Sequence, residues 1–505
     1  MLYNLLAFFK GHFISIILFF VLLKLAVHLP FNGRYGFHAD ELLYLAMSDE
    51  LAWGYKEGPP FIVGIVWFSV QLFGDSLWAL RLIPTLCGAS IIFLAGLLTA
   101  KLGGGKVAVL VTCTALLFDP SFLATAYMMQ PVVFDQLFWL LSAFLLVMYI
   151  QSGNSRHLIY LGLVVGLGMM NKVTIGLYLL TLIIALILSS QRRLLLNKYW
   201  LYAATISLLI LLPHLIWQGS NNFPVIQQFK ELKANYWSHT DTLQLIKQLF
   251  LAHAASGSVC FAGLLFLFLS PEYRSFRFIA LGFVVLQIIL LLIQGKMYYS
   301  FGAFPVLFAA GGICYEQLFV LYKNPALKVA FFSMLFIVGL ISVPAAVPVL
   351  SLRNTVRYFE SMKKYSGIQM PLQWDDGTFH TLTQHYGQML GWQILALQTE
   401  SIFKTLPEHQ QASAIILTDN YQQAGAISYF GKSCQFPPSV SRMPSFFSKI
   451  KMKTEPTYII LVTSRRIPHS LDDSKLIAQS KITEPHAEID GTMIYLLSKR
   501  VNVLF

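Results

Sequence analysis

Charge is scarce in this chain. Only 12% of its 505 residues are Asp, Glu, Lys or Arg, and acids are the rarer sign, 24 against 36 bases. Soluble domains carry about twice that charged fraction, so an ordinary string of cytosolic domains is excluded. Cysteine is scarce as well. Cys87, Cys113, Cys260 and Cys314 stand inside apolar runs and Cys434 in the polar C-terminal part, which leaves no disulfide framework and no Cys-x-x-Cys metal pair. No basic stripe interleaved with aromatics occurs in a polar segment, so the net charge of +12 does not point to nucleic acid. Internal repeats and low-complexity tracts are missing, and Gly162, Gly166 and Gly168 suit close helix packing rather than a nucleotide loop. Nor does a small-residue cleavage site follow the first apolar run. The chain continues His28-Leu-Pro-Phe-Asn32, which reads as a retained membrane helix and not a signal peptide.

Apolar residues are what the chain has in quantity: 56% hydrophobic, with 40 Phe and 23 Tyr. They gather into runs suited to a bilayer, at 11–29, 77–100, 107–118, 137–150, 158–170, 175–188, 200–217, 243–269, 278–293, 299–320 and 329–350. The fold class is therefore an α-helical multi-pass membrane protein of about eleven transmembrane helices. The run 61–73 is short and follows Pro59-Pro60; it reads as a helix lying along the membrane surface. Lys101, Lys106, Arg156, Arg192, Arg193, Lys198, Arg274, Arg277, Lys323 and Lys328 all fall in alternate short loops, which the positive-inside rule assigns to the cytoplasm. The opposite loops, and the C-terminus with them, then lie outside. From about residue 351 polar residues return. The segments 414–418, 458–463 and 493–497 read as short buried strands, so residues 1–350 form a transmembrane domain and 351–505 a small α/β domain. Within the latter, Thr418-Asp419-Asn420 reads as an Asx cap opening a helix, with ligand binding at that helix end as the rarer alternative.

Against this background one loop stands out. Between Phe37 and Pro60 lie five carboxylates (Asp40, Glu41, Asp49, Glu50, Glu57), Lys56 and His38. Asp40 follows the first crossing closely and could draw a proton from an acceptor; it could equally cap a helix running from Glu41. Asp135, at the outer end of a crossing, is costly unless paired or functional, with an N-cap after Pro131 as the competing reading. Lys296, Tyr298 and Tyr299 suit a lipid phosphate, or else form an aromatic belt with a snorkelling lysine. Lys172 has the same two readings. Lys56, Arg34 and Arg81 are further outer-side cations, where the positive-inside rule disfavours them, which suggests an anionic ligand. His253, with Glu57 or His38, could hold a divalent metal, although no ligand spacing supports it.

The order of these features carries a resemblance. Asp40-Glu41, Trp53-Gly-Tyr55, Pro59-Pro60, Ala79-Leu-Arg81-Leu-Ile-Pro84, Asp135 before Phe-Trp139, Gly166-Leu-Gly-Met-Met-Asn-Lys172 and Lys296-Met-Tyr-Tyr299 resemble bacterial members of glycosyltransferase family 39, the protein O-mannosyltransferase-like enzymes. The lipid A aminoarabinose transferase is a more distant relative in the same C-type superfamily. The likeness covers most of residues 1–320, and Asp419-Asn-Tyr-Gln-Gln-Ala-Gly-Ala426 resembles the C-terminal domain of bacterial members. It implies an inner-membrane enzyme that moves a sugar from a polyprenyl phosphate to a lipid, glycan or protein acceptor outside the cytoplasm. By position it implies that Asp40 is the catalytic base with Glu41 its partner, that Asp135 is the second outer carboxylate, and that Lys296, Tyr298 and Tyr299 lie near the donor phosphate; Lys56 and Arg81, as outer-side cations, are read as further groups to stabilise that phosphate. In the aminoarabinose branch a Glu-Lys-Pro-Pro string supplies a metal ligand and a phosphate-binding lysine. Here the string is Glu57-Gly58-Pro59-Pro60, which departs from it. A transporter of lipid-linked sugars would instead show midplane charges and paired broken helices, and a glycan ligase or polymerase would use a larger donor.

Overall fold

The computed structural model describes residues 13–226, 242–432, 436–437, 439–442, 445–449, 456–465 and 474–498; Cys434 lies outside them. Among the described residues seven helices are long and apolar enough to cross a membrane, or eight if a bent helix pair is counted as one span. Lys106–Phe118, Arg156–Asn171 and Thr174–Leu188 occupy the remaining expected crossings, at 13, 16 and 15 residues. Those lengths fall short of the roughly 20 residues a straight span needs. One of the expected crossings is not a continuous helix. The run 243–269 is two helices, Thr242–His253 and Ser256–Leu269, meeting at an angle of 104°. The break falls at Ala254, whose φ of 43° is left-handed and cannot continue a right-handed helix.

The chain divides into two compact units. The first comprises Met1–Asn32, Gly58–Phe61 and Arg81–Val349. Its helices approach closely at several glycines. A Cβ on Gly263 would stand 2.0 Å from the Leu307 carbonyl oxygen, and one on Gly311 would stand 2.0 Å from that of Val259. Gly162 likewise lies against the Ala203 backbone, as the packing reading of that glycine string anticipates. Lys24, the one charge in the first apolar helix, is buried and donates to the Phe122 carbonyl at 2.8 Å, so the charge carries a partner into the bundle.

The second unit comprises Gly33–Glu57, Ile62–Leu80 and Leu350–Phe505. Its sheet runs β2-β1-β3-β5-β4, with β1 Ala414–Thr418, β2 Ser439–Ser441, β3 Tyr458–Thr463, β4 Lys475–Lys481 and β5 Met493–Ser498. Strands β1, β2 and β3 are parallel, and β5 and β4 add antiparallel. Ile415, Leu417, Ile459, Leu461 and Leu497 form the core on one face. The helix Ala39–Ser48, which carries Asp40, belongs to this unit. Along Phe61–Phe73, Ile62, Val63 and Val66 are buried while Trp67, Phe68, Leu72 and Phe73 are exposed. An apolar outward face suits a helix resting in the bilayer interface.

Candidate active site

In the first unit the polar centre forms around Asp135. The helix Pro131–Ser152 begins at Pro131 with Gln130 as its N-cap, so Asp135 sits past the first turn and is not the cap. Both of its oxygens are held: Trp139 Nε1 donates to Oδ1 at 2.9 Å and Thr174 Oγ1 to Oδ2 at 2.7 Å. Trp139 stacks flat on Tyr178, 4.3 Å between centroids, and its ring fills the space where Gly302 would otherwise carry a Cβ, 2.6 Å away. Lys172 closes the helix Arg156–Asn171 and lays its ammonium over two rings, 4.4 Å from the centroid of Tyr298 and 4.9 Å from that of Tyr299. Such cation–π contacts hold a lysine without neutralising it. Loss of water pulls the Lys172 pKa down to about 8; the Asp135 carboxylate opposes that shift and the Lys296 charge adds to it. A carboxylate, two lysines and two phenols thus share one neighbourhood in a sparsely charged bundle. That set can take up a mobile anion such as a phosphate monoester.

Two other expected residues sit elsewhere in this unit. Arg81 is fully buried; Nη1 donates to the Asn32 carbonyl at 3.2 Å and to the Tyr127 hydroxyl, and its guanidinium lies 4.3 Å over the Tyr127 ring. His253 is buried as well, with Nδ1 2.8 Å from Asp119 Oδ2 and its ring stacked on Phe304, 3.7 Å between centroids. The Asp119 carboxylate also caps the short helix Pro120–Thr125 through Ser121 and Phe122. Among the described residues no three His, Cys, Asp or Glu side chains gather into a set that could hold a metal. Asp119 directly follows the apolar run 107–118, and nothing in the sequence links it to His253.

In the second unit the N-cap of the Asp40 helix is His38. The His38 ring accepts from the Asp40 amide at 3.2 Å, and the Glu41 carboxylate accepts from the His38 amide at 2.8 Å. This is a reciprocal capping box in which Glu41, fully buried, anchors the helix start. Asp40 is therefore the second helical residue and not the cap, with its side chain partly exposed. Tyr421 Oη donates to Asp40 Oδ1 at 2.9 Å. His385 lies beside His38, Nδ1 to Nε2 3.4 Å. Glu488 accepts from Gln388 at 3.1 Å, and burial raises its pKa, reduced by that amide and Gln384 but reinforced by the charges of Asp375 and Asp40. Glu57 accepts from the Phe446 amide, and Lys56 precedes it in the same turn.

The comparisons with known proteins agree with this architecture. Residues 57–217 match the family described as dolichyl-phosphate-mannose-protein mannosyltransferase. No curated protein matches the sequence. Among solved structures, ArnT from Cupriavidus metallidurans in the apo state superposes with a TM-score of 0.65 at 13% identity, covering 96% of this chain and 97% of that one. The same protein bound to undecaprenyl phosphate gives a TM-score of 0.63 at 14% identity over the same shares. The archaeal oligosaccharyltransferase AglB from Archaeoglobus fulgidus, in complex with an inhibitory peptide and a dolichol-phosphate, is a weaker likeness, with a TM-score of 0.48 at 13% identity over 83% of this chain and 64% of that one. The resemblance carried by the motif order is thereby borne out: this is a multi-pass membrane protein with the C-type glycosyltransferase fold, and its residues 57–217 match the mannosyltransferase family model.

Proposed function

We infer that the protein is an integral membrane glycosyltransferase that takes a sugar from a polyprenyl-phosphate donor and passes it to a lipid, glycan or protein acceptor on the outer face of a bacterial inner membrane. The observation that carries this reading is the Lys172 ammonium over Tyr298 and Tyr299 beside Asp135. A cation kept inside an apolar bundle, with phenol donors at hand, suits a lipid-borne phosphate better than a passing solute. The matched family and the undecaprenyl phosphate bound to ArnT support the same class of donor.

The chemistry follows from the donor. The leaving group is already a phosphate, so no nucleotide site is needed. Asp40 removes the proton of the acceptor nucleophile, which attacks the anomeric carbon as the bond to the phosphate oxygen breaks, with inversion. Lys172 and Lys296 stabilise the charge gathering on the departing phosphate, an electrostatic contribution of the oxyanion type. Glu41 anchors Asp40 through the helix cap, and Arg81 serves the packing around Asn32 and Tyr127.

The test is transfer of label from a panel of undecaprenyl-phosphate monosaccharides to an envelope extract of a strain lacking the gene. Loss of a general base costs about 100- to 10,000-fold. Asp40→Asn is expected to fall in that range while inserting at wild-type levels. Near wild-type transfer by that variant would remove Asp40 from the reaction. Label on a single lipid-linked sugar, and not on preassembled glycan, separates the monosaccharide transferase from a ligase or polymerase.

A further inference from the structure

The Asx cap at Thr418-Asp419-Asn420 has a purpose that reaches beyond its own helix. We propose that Tyr421 is a positioning residue for Asp40, delivered by the C-terminal sheet. The inference rests on the assignment of Asp40 as the base.

Asp419 directly follows β1 and is locked on every side. Its carboxylate accepts from Thr463 Oγ1 at 2.8 Å, the Ser464 amide at 2.9 Å and Arg442 Nη1 at 3.1 Å, and its amide donates to Gln423 Oε1 at 2.9 Å. Asn420 then caps the helix Tyr421–Phe430 by accepting from the Gln423 amide at 3.0 Å. Tyr421 is thus the first residue of a helix whose start is fixed to the ends of two parallel strands. That helix packs on the Asp40 helix at short range. A Cβ on Gly425 would meet the Leu42 backbone at 3.4 Å, and Phe37 packs edge-on against Tyr429 and Phe430. The phenol oxygen arrives 2.9 Å from Asp40 Oδ1.

A carboxylate on a two-torsion side chain can turn its oxygens through many orientations. A general base needs one oxygen aimed at the incoming hydroxyl, and a donor on the other oxygen fixes that aim. The Asp40 helix start is held by the His38 and Glu41 cap, so the backbone is fixed from one side and the carboxylate from the other. A tyrosine that merely bridged two helices for stability would leave turnover untouched on removal of its hydroxyl. A positioning tyrosine would not.

Tyr421→Phe keeps the ring and removes only the hydroxyl. In the full-length protein, with the undecaprenyl-phosphate monosaccharide panel and envelope extract, kcat is expected to fall on the order of 10- to 100-fold, the scale of a misaligned reacting group. KM for the donor and the melting temperature should stay near wild type. The double variant Asp40→Asn/Tyr421→Phe should lose no more than Asp40→Asn alone, since two residues acting as one unit are not additive. If Tyr421→Phe does not accumulate, Asn420→Gly serves instead: it retains the phenol, loosens the turn and should lower kcat to an intermediate value. Wild-type kcat in the hydroxyl-deleted variant, a fall that tracks lost stability, or an additive double variant overturns the inference while leaving Asp40 as base. Full activity in Asp40→Asn overturns the underlying reading itself, and the inference with it.

Discussion

Lys172 is where a single residue says most about the donor. Its pKa of about 8 means that the ammonium is charged at pH 7 and largely lost by pH 9. A phosphate monoester completes its second ionisation near pH 6, so the ligand does not change charge over that window. Retention of undecaprenyl phosphate should therefore weaken on the order of tenfold between pH 7 and pH 9, the worth of a charge-assisted hydrogen bond. Lys172→Arg should flatten the dependence, because a guanidinium stays charged. Folded stability moves the other way. The folded-state pKa is lowered from 10.5, so between about 8 and 10.5 the unfolded chain binds more protons and stability from this group rises with pH. Binding measured at two pH values, beside melting temperatures at the same values, separates the two effects. A pH-independent affinity would place the phosphate away from Lys172.

Among the elements, the helix pair Ser256–Leu269 and Phe304–Tyr322 is held by the absence of side chains. With a Cβ on Gly311 placed 2.0 Å from the Val259 carbonyl, Gly311→Val must push the helices apart. Overpacking of this kind costs about 1–3 kcal/mol, read as a lowered melting temperature in detergent, whereas Gly153→Ala, with nothing within 4 Å, should lose only the relief of its left-handed cap. The elements also mark how far the sequence could be read. Long apolar helices and the buried strands β1, β3 and β5 announce themselves by composition. Strand β4 does not: its residues are mostly exposed, so no apolar run marks it, and β2 is only three residues long. Asp40, Asp135, Lys172 and Lys296 were visible because charge is rare here. Their partners were not, since Thr174, Trp139 and Tyr421 are ordinary residues whose role comes from contacts 4 to 381 positions away. His38 as cap was hidden for another reason, as a histidine is an uncommon acceptor at a helix start.

For the whole molecule the decisive question is which way the chain is threaded, and the bent pair at Ala254 decides it. If Thr242–His253 and Ser256–Leu269 together make one crossing, Arg274 and Arg277 return to the side of Lys101, Lys106, Arg156, Arg192, Arg193 and Lys198. If the pair turns back instead, those two arginines and then Lys323 and Lys328 change sides relative to the earlier ones. Charge in short loops favours the first arrangement. It also keeps the loop holding Lys296 on the face opposite the basic loops, as a lipid-phosphate site on the outer surface requires. Alkaline phosphatase, active only outside the cytoplasm, gives the reading directly when fused after successive loops. Fusions after Asn154, Ser270 and Asn324 should be inactive, and fusions after Asn221 and Gly295 active. The fusion after Ser270 carries the test: activity there would make the pair re-entrant, reverse every later loop, and put Lys296 on the cytoplasmic side, where the proposed transfer could not occur.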